Sequence, residues 1–313
     1  SGNVNVTGNG SQWSNSNGVF FGATSAMVNG QGDLNISSGG RVQVGNDNYD
    51  SGTSSELIIG DMNAVAAGTM TVRNGSTVVN DGSGYVAASA SSVGLASVSG
   101  AGSRWENSGD LYIGRSGFGT LEVSSGGVVE NHHGYIASHG ATSTATVTGA
   151  GSHWANAGNL SVGAAGVGSI EINDSGLVTV GGTTTIGADD AVTLAGGRFE
   201  FGTSSLSSFA RMGGSSGELA GLVTNTAFTN ISTLTTLQSN SLDISEVNVS
   251  NSGTIIGTGS ILAGFTNNTT GRVDVSGSST MRFEGDNNSN SGRINSTGGL
   301  LSLAGNLTNI GTG

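Results

Sequence analysis

Apolar and polar residues alternate with a period of two in short runs along this chain. Leu121-Glu122-Val123, Ile170-Glu171-Ile172 and Phe199-Glu200-Phe201 each put apolar side chains on one face and a carboxylate on the other. The pattern predicts strands of about five residues. The sustained spacing of three and four that marks an amphipathic helix is missing. A slower beat overlies the alternation: apolar residues follow Gly/Ser turns at Trp105, Val128, Trp154, Leu177 and Phe199, separated by 23, 26, 23 and 22 residues. With Trp13, these positions are expected to form an inward ladder, one rung per coil of about 23 residues.

Short strands joined by Gly/Ser/Asn turns and recurring every 20 to 26 residues suit an all-β parallel β-solenoid. Glycine supplies 57 of 313 residues, a heavy cost in helices but suited to turns that need positive φ. Proline, which would remove a ladder donor, is absent.

A longer repeat overlies the coils. Val98 to Trp105 reads V-S-G-A-G-S-R-W, and it returns as V-T-G-A-G-S-H-W at Val147 to Trp154 and as V-T-G-N-G-S-Q-W at Val6 to Trp13. The tryptophans of the first two copies are 49 residues apart. Residues 1–190 follow this unit, and 191–313 read as the same solenoid continued in shorter, Thr/Asn-rich coils. Residues 204–221, with Phe209, Arg211 and Met212, are less periodic and are expected as a loop or short helix inserted in the stack. Roughly 13 coils at about 4.8 Å each would make a rod on the order of 60 Å long.

The V-[ST]-G-x-G-S-x-W motif, the runs Leu121-Glu122-Val123-Ser124-Ser125-Gly126-Gly127 and Val192-Thr193-Leu194-Ala195-Gly196-Gly197-Arg198-Phe199, and the later T-N-x-G segments resemble the β-helical passenger repeats of bacterial autotransporters and related large secreted adhesins. The resemblance covers most of the chain. It implies a right-handed coil and an extracellular setting on a Gram-negative cell surface. Its low-complexity motifs speak to fold and setting more than to activity.

Composition narrows the partners. Cysteine is absent, so stability must come from backbone ladders and stacked side chains. The formal charge is −12, and all the cations are arginine, which argues against nucleic acid and against anionic lipid. No stretch approaches the roughly 20 apolar residues of a membrane span, so no membrane insertion is expected. Ser1 to Gly10 lacks the pattern of a secretory leader and reads as part of a mature or excised segment.

Candidate chemistry is sparse. His132 and His133, with Glu130 and His139 nearby, form the one histidine group, but adjacent strand residues face opposite ways and would chelate together only if a turn bent them. His153 occupies the place of Arg104 and Gln12 in the other copies, an outward position. Asp47, Asp50, Asp189, Asp190 and Asp286 sit in Gly/Asn-rich turns, where Asx side chains bond the local backbone. Calcium is the ion such turns could take, although the repeated G-G-x-G-x-D calcium pattern is missing. Glu122, Glu171 and Glu200 face outward without the basic partners that a uronic-acid lyase needs. The tryptophans fit an inward ladder better than exposed sugar platforms.

The sequence therefore points to no catalytic residue and no cofactor, and not to an enzyme. Its first reading is a structural or adhesive surface rod that associates end to end, or continues into flanking repeats, and offers long faces to surface glycans. A carbohydrate-binding or carbohydrate-cleaving β-helix and an inert stalk are the alternatives.

Overall fold

The computed structural model describes residues 2–21, 31–45, 55–60, 66–187, 190–206, 211–221, 228–230, 233–243, 249–251, 254–261 and 264–310; within 201–263 it describes the backbone, with Ile255 the one side chain included. Every element among the described residues is a strand. A representative coil has three: a long strand Val93–Ser99, a middle strand Arg104–Asn107 and a short strand Leu111–Ile113. The next coil repeats them as Phe118–Ser124, Val128–Asn131 and Gly134–Ile136, each paired in parallel with its counterpart. The fold is a β-solenoid, with successive levels about 4.8 Å apart.

The tryptophan motif is the corner between long and middle strands. Gly100 and Gly102, and equally Gly149 and Gly151, take positive φ there, a backbone that glycine adopts without strain. The following serine turns inward. Ser152 Oγ donates to the Thr148 carbonyl at 2.7 Å and accepts the Gly126 N–H of the preceding coil at 3.0 Å. One hydroxyl thus closes its own turn and ties it to the level before.

The core lies inside the coils. One column of paired positions runs through Trp13, Val42, Val78, Trp105, Val129, Trp154, Val178, Phe199, Leu219, Leu242, Ile261, Phe283 and Leu303. Trp105, Trp154 and Phe199 are fully buried, whereas Trp13, on the first coil, is half-exposed and packs against the edge of the core.

Two positions expected in this ladder are not in it. Val128 and Leu177 lie on the outward column with Arg104 and His153, and the inward rungs are Val129 and Val178. A slip of one residue on a strand exchanges the faces. In the tryptophan coils a polar residue precedes the rung and makes the alternation plain. In the coils between, Val128-Val129 and Leu177-Val178 are both apolar, so the pattern no longer marks which residue turns inward. Val129→Asp should therefore cost at least about 3 kcal/mol as a buried, unpaired carboxylate. Val128→Asp, beside Arg104 and His153, should stay within about 0.5 kcal/mol of the parent. Denaturant midpoints of the two variants check the assignment, and equal losses would contradict it.

Of the interruption expected at 204–221, residues 204–206 and 211–221 are ladder, and 207–210, with Phe209, lie outside the described residues. Ala191–Leu206 and Arg211–Gly221 are strands paired along most of their length, with register shifts at Leu194/Ala195 and Ala195/Gly197. The sequence there looks aperiodic because bulges offset the alternation.

Beyond the tryptophan column, buried asparagines end the middle strands. Asn80 Nδ2 donates to Asn107 Oδ1 at 3.0 Å, and Asn131 Nδ2 donates to Asn156 Oδ1 at 2.8 Å. Asn267, Asn290 and Asn309 repeat the arrangement in the later coils, at 2.7 and 3.0 Å. The T-N-x-G segments are thus a second amide ladder, in a five-stranded parallel sheet of its own.

Candidate lateral binding face

The outer side of the short strands carries the densest chemistry on the described surface. Their middle residues stack as Phe20, Ile58, Tyr85, Tyr112, Tyr135, Ser161 and Thr185 on successive coils. Tyr85 and Tyr112 lie with ring centroids 4.9 Å apart and planes 5° from parallel, and Tyr112 and Tyr135 follow at 4.7 Å and 8°. The ring spacing is the strand spacing, so the backbone ladder imposes the stack. Arg115, from the following corner, brings Cζ to 5.8 Å from the Tyr85 ring centroid.

Burial raises all three phenols. Tyr112, held between two rings, is pushed up to about 12, by burial first and then by the Asp110 carboxylate. A phenol with its folded pKa above the unfolded value of about 10 favours the fold while protonated. That contribution is present below pH 10 and is lost as pH rises toward 12. Ultraviolet titration of the native chain should show Tyr112 ionising last, and Tyr112→Phe should remove the latest step. A single step near pH 10 for every tyrosine would contradict the stack.

Beside the rings runs a column of side chains that cap the next level's backbone. Ser83 Oγ accepts the Asp110 N–H at 3.3 Å, Asp110 Oδ1 accepts the His133 N–H at 3.2 Å, His133 Nδ1 accepts the Asn159 N–H at 2.7 Å, and Asn159 Oδ1 accepts the Thr183 N–H at 2.9 Å. His132 and His133 fall in the corner between strands. The bend brings their rings to 4.0 Å between centroids, and His132 Nδ1 lies 3.6 Å from Asp110 Oδ1. Asp110, His132 and His133 could each turn one ligand atom to a common point. The third histidine partner foreseen from sequence was Glu130, yet Glu130 pairs instead with Arg104, which also binds Glu106. His133 accepts through Nδ1, so its remaining proton sits on Nε2 and the ring offers no second lone pair while the cap holds. The column's main work is structural.

The other candidates are scattered. His139 is exposed and meets Ser138 Oγ at 3.1 Å. His153 is outward, with Nε2 2.8 Å from Thr179 Oγ1; burial lowers its pKa, opposed by Glu130 and Glu200. Asp190 is buried and accepts the Gly168 N–H at 2.6 Å, as Ser143 Oγ accepts the Gly119 N–H at 3.1 Å two coils earlier. Asp286 is exposed in a turn many levels away, and Asp47, Asp50 and Asp189 lie outside the described residues. The described Asp turns are thus not brought together. Glu122 and Glu171 are exposed on the long-strand face, on alternate coils with Thr146 between them.

Sequence reasoning passed over the tyrosines. Their signal was visible as G-Y-V, L-Y-I and G-Y-I at Tyr85, Tyr112 and Tyr135, but only register turns three scattered residues into one stack.

No protein-family model matches this chain, and no curated protein matches it. Among solved structures, the chain is similar to the crystal structure of a hyper-glycosylated fragment of TibA, residues 55–350, glycosylated by TibC; the identity is 16% over 96% of this chain and 97% of that one, with a TM-score of 0.33. The fold itself, a parallel β-solenoid, is the one implied by the resemblance of the repeats to autotransporter passenger repeats.

Proposed function

We propose that the chain is a structural or adhesive rod of an extracellular surface, binding through its lateral faces and without catalysis. The observation that carries this reading is the organisation of the outer side chains. Aromatic rings, hydroxyls, amides and ion pairs repeat in columns at the coil spacing, an arrangement suited to weak contacts multiplied along a surface. Glu130 is paired with Arg104 and Asp110 caps the His133 N–H, while Glu122 and Glu171 stand on alternate coils with Thr146 between them. End-to-end continuation, into flanking repeats or another copy, completes the reading.

Beads coated with the chain should be retained under flow on polysaccharide-coated or cell-coated surfaces, against beads carrying the unfolded chain as control. Release of reducing sugar without retention would overturn the proposal.

A further inference from the structure

The tyrosine stack has one covered end and one open end. At the covered end Tyr85 lies opposite Ile58, which is 1% exposed, with Arg115 over its ring. At the other end Tyr135 lies opposite Ser161, and among the described residues its only stacked ring partner is Tyr112. The level of Ser161 is small throughout this corner, continuing through Gly163, Ala164 and Ala165. The stack therefore stops one ring short, leaving a step about 4.8 Å deep in front of the Tyr135 face.

We propose that this step is a binding subsite for a neutral pyranose ring of a glycan, which continues the stack in place of the missing side chain. A pyranose has the needed shape: its axial C–H face packs on an aromatic ring, and its equatorial hydroxyls project sideways. The groups around the step match those hydroxyls. Ser161 forms its floor, and Asn159 and Thr185 are exposed beside and beyond it. His133 meets Tyr135 edge-on at 6.4 Å, and because its Nδ1 is engaged by Asn159, the Nε2 proton remains as a donor. Asn159 Oδ1 is likewise occupied by Thr183 N–H, so its Nδ2 is the free end. Ser161, Asn159 and Thr185 carry no charge, which selects a neutral sugar over an acidic one.

The subsite deepens the attachment reading and depends on that reading only for its setting. Dextran, mannan and chitooligosaccharides serve as probes, with amide chemical-shift changes read at Asn159 and Ser161. Tyr135→Ala should weaken binding of the accepted sugar by about tenfold or more, about 1.4 kcal/mol. Asp286→Asn, in an exposed turn many levels away, should leave binding unchanged. Ser161→Tyr should complete the stack, abolish binding and raise the melting temperature, which separates a filled site from an unfolded protein. Binding that survives Ser161→Tyr, or shift changes away from this level, would overturn the subsite. So would failure of every probe while coated beads still attach, a result that leaves the attachment reading standing; binding of a sugar without bead retention would do the reverse.

Discussion

Trp154→Ala is expected to cost about 4 kcal/mol or more, the largest loss from any single truncation in the tryptophan coils. A buried aromatic replaced by alanine loses about 3–5 kcal/mol through lost transfer energy and the cavity left behind. Trp154 is fully buried between Val129 and Val178 on the neighbouring coils. Its Nε1 also donates to Asn131 Oδ1 at 2.7 Å, so removal orphans a buried acceptor, worth about 1–3 kcal/mol. Far-UV circular dichroism during guanidinium unfolding is the measurement, and Trp13→Ala is the control. Trp13 is half-exposed at the edge of the core and should lose much less. A sharper comparison uses phenylalanine, which keeps most of the bulk and drops the N–H. Trp154→Phe should lose the hydrogen-bond contribution, whereas Trp105→Phe should lose less, because Trp105 Nε1 and Asn80 Oδ1 face the same relation without a bond between them. Equal losses from the two phenylalanine variants would mean that the Asn131 bond contributes nothing.

Fold class and coil length were legible because both rest on backbone periodicity. Alternation at Leu121-Glu122-Val123 marks a strand, and glycine at Gly100 and Gly102 marks a corner, whatever the neighbouring coils contain. Register was legible only where one face was polar. It was read from Arg104-Trp105 and His153-Trp154 and missed at Val128-Val129 and Leu177-Val178, where both faces are apolar. The candidate site was least legible. Its parts, Asp110, His133 and the three tyrosines, come from three coils and meet only across the stack. Asp190 was read as a turn acid and is instead a buried cap on Gly168, because the corner accepts any short side chain with an acceptor oxygen, as Ser143 shows.

The length of the tryptophan repeat, two coils and not one, has a packing cause that leads to the second large effect. Each buried indole leans toward the preceding level, as the bond from Trp154 to Asn131 shows, and there the inward residue of the short strand is glycine. A Cβ on Gly134 would overlap Asn156 Oδ1 and lie 2.9 Å from Leu160 Cδ1 and 3.1 Å from Trp154 Cζ2; on Gly84 it would lie 2.7 Å from Asn107 Oδ1 and 2.9 Å from Trp105 Cζ2. In the tryptophan coils themselves the same column holds Leu111 and Leu160. Large and small residues therefore alternate between levels, and a tryptophan on every coil would leave no level with the room its indole needs. Gly134→Leu should cost about 3 kcal/mol or more, at the upper end for overpacking, since the asparagine ladder is fixed by hydrogen bonds and cannot easily retreat. In a Trp154→Val background the indole's space is free, and the same substitution should cost less. The coupling between the two changes should be about 0.5–3 kcal/mol, with the unrelieved overlap at Asn156 setting the remainder. Strict additivity would remove the packing explanation of the two-coil repeat, because the glycine would then be required by something other than the indole above it.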